Sequence, residues 1–272
     1  MADARRVGIF DSGVGGLTVV RAILDLLPRE PVLYFGDTAR APYGPRPVEE
    51  IRRFAREIAA FLLDRDVKML VVACNSVEVA AIEDLAAETG VPVIGVIEPG
   101  VRAALAATRS GRVGVIGTEA TIRSGAYDRA VGSRATLVSA ACPAFVPFVE
   151  AGDTTGEGIA AAAREYLRPL QEAGVDTLIL GCTHYPLLSG LLQVVMGPEV
   201  VLISSAEETA KDVYGALLDA DLMVPTDGPP PRHEFLCSGD PESFLSLASR
   251  FLGPEATEVR ATAVQPAPVE DR

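Results

Sequence analysis

The 272-residue chain holds only two lysines, two histidines and four cysteines, and its basic residues are too few to balance its acidic ones, leaving a formal net charge of -13. Each shortage removes a class of chemistry. The cysteines, at 74, 142, 182 and 237, form no CxxC pair, and no Cys or His pair has metal-ligand spacing, so a metal or thiol-redox protein is disfavoured. Disulfides are not expected in a reducing compartment, which leaves each thiol to packing or to chemistry. Lys68 is expected at the amino end of its strand and Lys211 on a polar helix face, so neither is placed for a Schiff base with pyridoxal phosphate. The negative charge argues against nucleic acid or an anionic membrane surface as partner, because phosphate binding needs concentrated Lys and Arg. An anionic small substrate stays open, since a pocket supplies its own donors. Long apolar runs are missing as well. The longest purely aliphatic or sulfur stretch, Met69 to Cys74, has six residues, against about 20 for a spanning helix. After Arg5 and Arg6 only Val7 to Phe10 precede Asp11, too short an apolar core for an export signal, so a cytoplasmic location is expected.

What is present is a regular alternation. Short apolar runs such as RVGIF, PVLYFGD and VKMLVVACNS take turns with helical patterns such as VEEIRRFAREIAAFLLDRD and GIAAAAREYLRPLQEAG, which is the signature of a parallel α/β fold. The length suggests roughly two domains at about 150 residues each. A repeat gives the same number. AREIAAFLLDRDVKMLVVACNS lies over AREYLRPLQEAGVDTLILGCTH without a gap at an offset of 108, and VGIFDS lies over VGVIGT at an offset of 106. The fold expected is therefore two pseudo-symmetric parallel-sheet lobes with a shared cleft. Beyond Gly253 the run PEATEVRATAVQPAPVEDR shows no helical or strand period, so residues 254–272 are expected to form a loose tail.

In both halves of the repeat a cysteine stands just past the carboxyl end of a buried strand, where open α/β sheets bind their ligands. Ala73-Cys74-Asn75-Ser76 and Gly181-Cys182-Thr183-His184 share one grammar, a small residue, a thiol and two hydrogen-bonding side chains expected to open the next helix. Such a helix start favours anions and lowers a thiol's pKa. A buried cysteine is otherwise a small hydrophobe, but two at matched strand ends point to chemistry. Asp11-Ser12-Gly13 follows the first strand without the lysine of a phosphate loop, and reads either as an ammonium-orienting carboxylate or as a helix cap. Tyr43 and Gly44, in the turn Arg40 to Pro45, offer a hydroxyl and an amide to a substrate carboxylate. His184 is placed to orient or protonate Cys182. Cys142, Cys237 and His233 read as packing or linker residues.

The segments GIFDSGVGGLTVV, YFGDTARAPYG, VVACNS, GVIEPG, VGVIGTEAT, CPAFVPFVE, LGCTHYPLL and SSAEETA closely resemble the glutamate racemases of the aspartate/glutamate racemase superfamily. The resemblance implies that Cys74 and Cys182 are the two catalytic bases, assisted by Asp11 and His184, with Glu150 helping. It puts substrate contacts on Asp11, Ser12, Tyr43, Gly44, Asn75, Ser76, Thr118, Thr121, Thr183 and His184. Serine at 76 departs from the more usual threonine and keeps the hydroxyl. The resemblance further implies lobes of 1–97 with 208–253 and of 98–207, no cofactor, L- and D-glutamate as substrates, D-glutamate for bacterial peptidoglycan, and a homodimer as the common assembly. Aspartate or hydantoin racemisation is the nearest alternative activity. A two-lobed amino-acid binding module with inert cysteines is the alternative of a different class.

Overall fold

The computed structural model describes residues 3–225, 227–253 and 258–264. Among these residues ten strands make two all-parallel sheets. The first contains β1 (Val7–Asp11), β2 (Val32–Gly36), β3 (Met69–Val72) and β4 (Val93–Ile94), the second β5 (Arg112–Gly117), β6 (Thr136–Ala141), β7 (Thr177–Gly181) and β8 (Val201–Ile203), and the chain then returns to the first with β9 (Glu234–Cys237) and β10 (Arg260–Ala261). The orders are β10-β9-β2-β1-β3-β4 and β6-β5-β7-β8. Removing the two late strands leaves one order used twice, as the sequence repeat anticipates. Phe10 pairs with Val72 in the first sheet where Ile116 pairs with Leu180 in the second.

Both sheets are covered on both faces, which is why their strands read as unbroken apolar runs. Side chains alternate across each strand. Val7, Ile9 and Val71 enter one core with the helices Leu17–Leu26 and Ala206–Asp219, whereas Phe10, Leu33 and Val72 enter another with the helices Val48–Leu63 and Asn75–Glu88. The second sheet divides likewise, with Ile116 and Leu178 on one side and Val115 and Ile179 on the other.

Two expectations need correction. The segment read as a loose tail contributes β10, whose Arg260 and Ala261 pair with Leu236 and Cys237 of β9; a two-residue edge strand is too short to show a period. The remainder of that segment, 254–257 and 265–272, lies outside the described residues. The two cysteine loops also differ. Asn75 opens the helix Asn75–Glu88 directly, but Thr183 and His184 form a turn ahead of a short 3-10 helix, Tyr185–Leu188, and the α-helix Ser189–Met196. Pro186 lacks an amide, and the backbone closes the tighter i to i+3 bond from Leu187 N–H to the His184 carbonyl.

At the amino ends of the first sheet, far from the cysteine loops, Lys68 is almost fully buried. Its Nζ lies 2.7 Å from Glu30 Oε2 and donates to the carbonyls of Asp3 and Leu222, while Glu30 Oε1 accepts from the Val224 amide. Four segments distant in sequence meet on this pair. Removing one member leaves a buried charge without its partner, so Lys68→Met should lower the unfolding free energy by about 3–5 kcal/mol in urea titration. A loss below about 1 kcal/mol would show that the pair is dispensable.

Candidate active site

The carboxyl ends of β1, β3, β5 and β7 enclose a cavity of about 180 Å³. Both Cys74 and Cys182 line it, together with Ser12, Tyr43, Gly44, Asn75, Ser76, Thr118, Glu150, Thr183 and His184. Two residues expected at the substrate, Asp11 and Thr121, are buried behind this wall and do not line it. Cys142, read from the sequence as packing, does line it, with Pro143, Val146 and Pro147. It follows the end of β6, and the same strand-end rule that marks Cys74 and Cys182 would have marked it. His233 and Cys237 lie outside the cavity, as do Lys68 and the exposed Lys211.

The lobes touch on both sides of the cavity. On one side the Ser76 and Thr118 hydroxyls are 2.9 Å apart, Thr118 is 3.0 Å from the Thr121 hydroxyl, and the Ala120 amide donates to the Gly44 carbonyl. Gly44 must lack a side chain there, because a Cβ would approach Thr118 Cβ to 2.9 Å. On the other side the Thr183 hydroxyl donates to Asp11 Oδ2 at 3.3 Å. Asn75 Nδ2 donates to the Tyr127 hydroxyl at 2.9 Å, a further link between the lobes. Thr118 Oγ1 also accepts from the Thr121 amide at 3.3 Å, so of the two it is the Ser76 hydroxyl, bonded to Thr118 alone, that keeps capacity for an incoming carboxylate.

Tyr43 behaves otherwise than expected. Its ring lines the cavity, but its hydroxyl donates to Asp37, a fully buried carboxylate that also accepts from Ser238 Oγ at 2.7 Å and Arg40 Nε at 2.6 Å. The hydroxyl therefore fixes the Arg40–Pro45 turn and is not free for a substrate.

The two thiols sit in unlike fields. Cys74 caps the helix Asn75–Glu88, with its Sγ 3.5 Å from Ser12 Oγ. The expected lowering of its pKa by the helix start is reversed: burial, with the Asp11 carboxylate adding to it, pushes the thiol well above the ordinary range. Asp11 is itself fully engaged, accepting from the amides of Ser12 at 2.8 Å and Gly16 at 2.5 Å as well as from Thr183. Asp11 is not the N-cap of the following helix, which is Gly16; it spends its oxygens on the loop amides and Thr183, while its charge acts on Cys74 through space.

Cys182 faces a cation instead. Its Sγ is 3.9 Å from His184 Nδ1, and His184 Nε2 is 3.3 Å from Glu150 Oε1, near enough for an ion pair but out of line for a hydrogen bond. Burial lowers the pKa of His184, but the Cys182 and Glu150 contacts outweigh it and raise the value to about 10. The imidazole is then protonated at neutral pH. Gly15 holds this loop close: a Cβ there would collide with His184 Nδ1 and Thr183 Oγ1.

Because the folded pKa of His184 lies above its unfolded value, its stabilisation is complete below about 6.5 and is lost as pH rises to about 10. The stability advantage of the wild type over His184→Gln should therefore shrink by more than about 1 kcal/mol between pH 6.5 and 10 in urea titration, at 1.36 kcal/mol per pKa unit. A constant difference across that range would mean that His184 is not held as the cation.

The geometry agrees with what comparison finds. Residues 12–213 match the family model described as Asp/Glu/Hydantoin racemase. The glutamate racemase of Parafrankia sp. (strain EAN1pec) is 58% identical over 255 residues, covering 93% of this chain and 92% of that one. The crystal structure of glutamate racemase from Thermus thermophilus in complex with beta-chloro-D-alanine superposes with a TM-score of 0.87 at 46% identity, covering 98% of this chain and all of that one. That of glutamate racemase from Francisella tularensis in complex with D-glutamate gives a TM-score of 0.90 at 34% identity over 97% of this chain and 100% of that one. With a site of paired thiols at matched strand ends and a family match over most of its length, the chain belongs to the Asp/Glu/hydantoin racemase family.

Proposed function

We propose that the protein interconverts L- and D-glutamate without a cofactor, by two-base proton transfer between Cys74 and Cys182. The observation that carries this reading is the pair of thiols at equivalent strand ends of two like sheets, lining one small cavity. One thiolate takes the proton from the α-carbon and becomes a thiol. The other thiol gives its proton to the opposite face of the carbanion and becomes a thiolate. Inversion follows because the two sulfurs belong to different lobes. Cys182 acts on L-glutamate and Cys74 on D-glutamate, so the protonated state favoured at Cys74 suits the L-to-D direction. Asp11, His184 and Glu150 assist. Ser12, the Gly44 amide, Asn75, Ser76, Thr118 and Thr183 hold the substrate, with Tyr43 and Thr121 supporting the wall. The relatives' names favour glutamate over aspartate as substrate.

The lobe division that accompanies this reading is 1–97 with 208–253 against 98–207, supported by the sheet membership of β1 to β9, with β10 carrying the first lobe on to Ala261. The setting we infer is cytoplasmic, supplying D-glutamate for bacterial peptidoglycan, with a homodimer as the assembly. No helix among the described residues is long and apolar enough to cross a membrane.

Incubation with L-glutamate in deuterated water tests the reaction, following optical rotation and α-deuterium together. Racemisation with deuterium in the product supports it, and binding without exchange would leave an amino-acid binding module. Activity should need no added pyridoxal phosphate and should persist with a chelator; loss on chelation with recovery on adding metal would refute the cofactor-free reaction. Cys74→Ala and Cys182→Ala should each lower kcat by at least about 10²- to 10⁴-fold. Slow exchange without inversion should survive only on D-glutamate in Cys182→Ala and only on L-glutamate in Cys74→Ala. A folded variant of either kind that keeps more than about a tenth of wild-type kcat would be incompatible with two opposed bases.

A further inference from the structure

The chain passes from the first sheet to the second through Gly95 and Val96, which lie between β4 and the helix Ile97–Ala107. That helix has Glu98 and Pro99 in its first turn but no cap of its own. Val96 stands at its N-cap and has no side-chain acceptor for the free amides of the first turn. The acceptor comes from another element. Glu78 belongs to the first turn of the helix that Cys74 caps, and its side chain is directed away from the thiol toward the crossing. The Oε2 atom accepts from the Val96 amide at 2.6 Å and from the Ile97 amide at 3.0 Å. Glu78 is only 7% exposed, and burial raises its pKa to about 7 even though the two amide bonds pull it down. Arg52 and Arg129 line the same cleft but are directed to other partners, the Ala80 carbonyl with Asp84 and the Ser124 carbonyl.

The crossing is shaped to this carboxylate. A Cβ on Gly95 would fall inside it, so the absent side chain at 95 and the acid at 78 fit each other. The helix that Glu78 caps packs against β7, whose end carries Cys182. One side chain thus joins the helix begun at Cys74 to the support of Cys182.

We propose that Glu78 is a positioning residue that clasps the crossing between the lobes and so sets the separation of the two cysteine-bearing strand ends. This rests on the two-base reading, which is what requires a fixed separation.

The test compares Glu78→Ala, Glu78→Gln, Gly95→Ala and the double variant Glu78→Ala with Gly95→Ala. Amide hydrogen exchange at Val96 and Ile97 reports on the clasp, and kcat for each glutamate enantiomer, per folded enzyme, reports on the thiol spacing. In Glu78→Ala and Gly95→Ala we expect exchange at the two amides to quicken at least tenfold and kcat to fall about tenfold, since a displacement near 1 Å is worth up to about 10² in rate. Glu78→Gln keeps an acceptor oxygen and should restore both towards wild type. The double variant should be no worse than Glu78→Ala, because the added methyl then has no carboxylate to displace. Wild-type kcat in folded Glu78→Ala would overturn the positioning role, and Gly95→Ala damage that is unchanged by removing Glu78 would overturn the clasp. A wild-type protein that failed to racemise glutamate would refute the proposed function alone, since the exchange measurements still report on Glu78.

Discussion

Two thiols carried on separate sheets can serve one carbon only if the gap between those sheets is held to a fraction of an ångström, and much of this structure answers to that constraint. The sheets share no strand, so their separation is fixed by side chains and by the absence of side chains. Asp11 at the end of β1 reaches Thr183 of the second lobe, Ser76 reaches Thr118, and Asn75 reaches Tyr127. Gly15 and Gly44 sit where a single methyl would force the lobes apart. Each of the three side-chain contacts has at least one member in the cavity wall, so the wall of the site and the joint between the lobes share residues.

The duplication gives the thiols equal positions without giving them equal surroundings. Cys74 shares its end of the cavity with the Asp11 carboxylate and is pressed toward the neutral thiol, whereas Cys182 has the cationic ring of His184, backed by Glu150. Proton transfer between two bases needs one of them protonated and the other bare at the start of each turnover. Burial and the Asp11 carboxylate supply the protonated one at Cys74 before substrate arrives. The unlike starts of the two following helical segments belong to the same asymmetry, since the second opens with a turn and a 3-10 helix that leave the His184 ring facing Cys182.

The parallel α/β class, the twofold repetition and the strand-end placement of Cys74 and Cys182 were legible in the sequence, because each is written in local apolar periods and in one ungapped offset between the halves. Most of the cavity wall followed from the same segments. What periodicity did not carry was the fate of individual polar atoms. Asp37 comes from a different loop to take the Tyr43 hydroxyl, Asp11 spends its oxygens on amides, and burial with a neighbouring carboxylate reverses the pKa trend that a helix start alone would give Cys74. Cys142 enters the cavity wall and Arg260–Ala261 joins the first sheet through contacts with partners remote in sequence. The sequence by itself determined which elements form and which residues stand at their ends, since those depend on neighbours a few positions away. Only the tertiary structure decided how far apart the lobes stand and which charge faces which sulfur, because electrostatic energy and close packing depend on distances through space that no local pattern records.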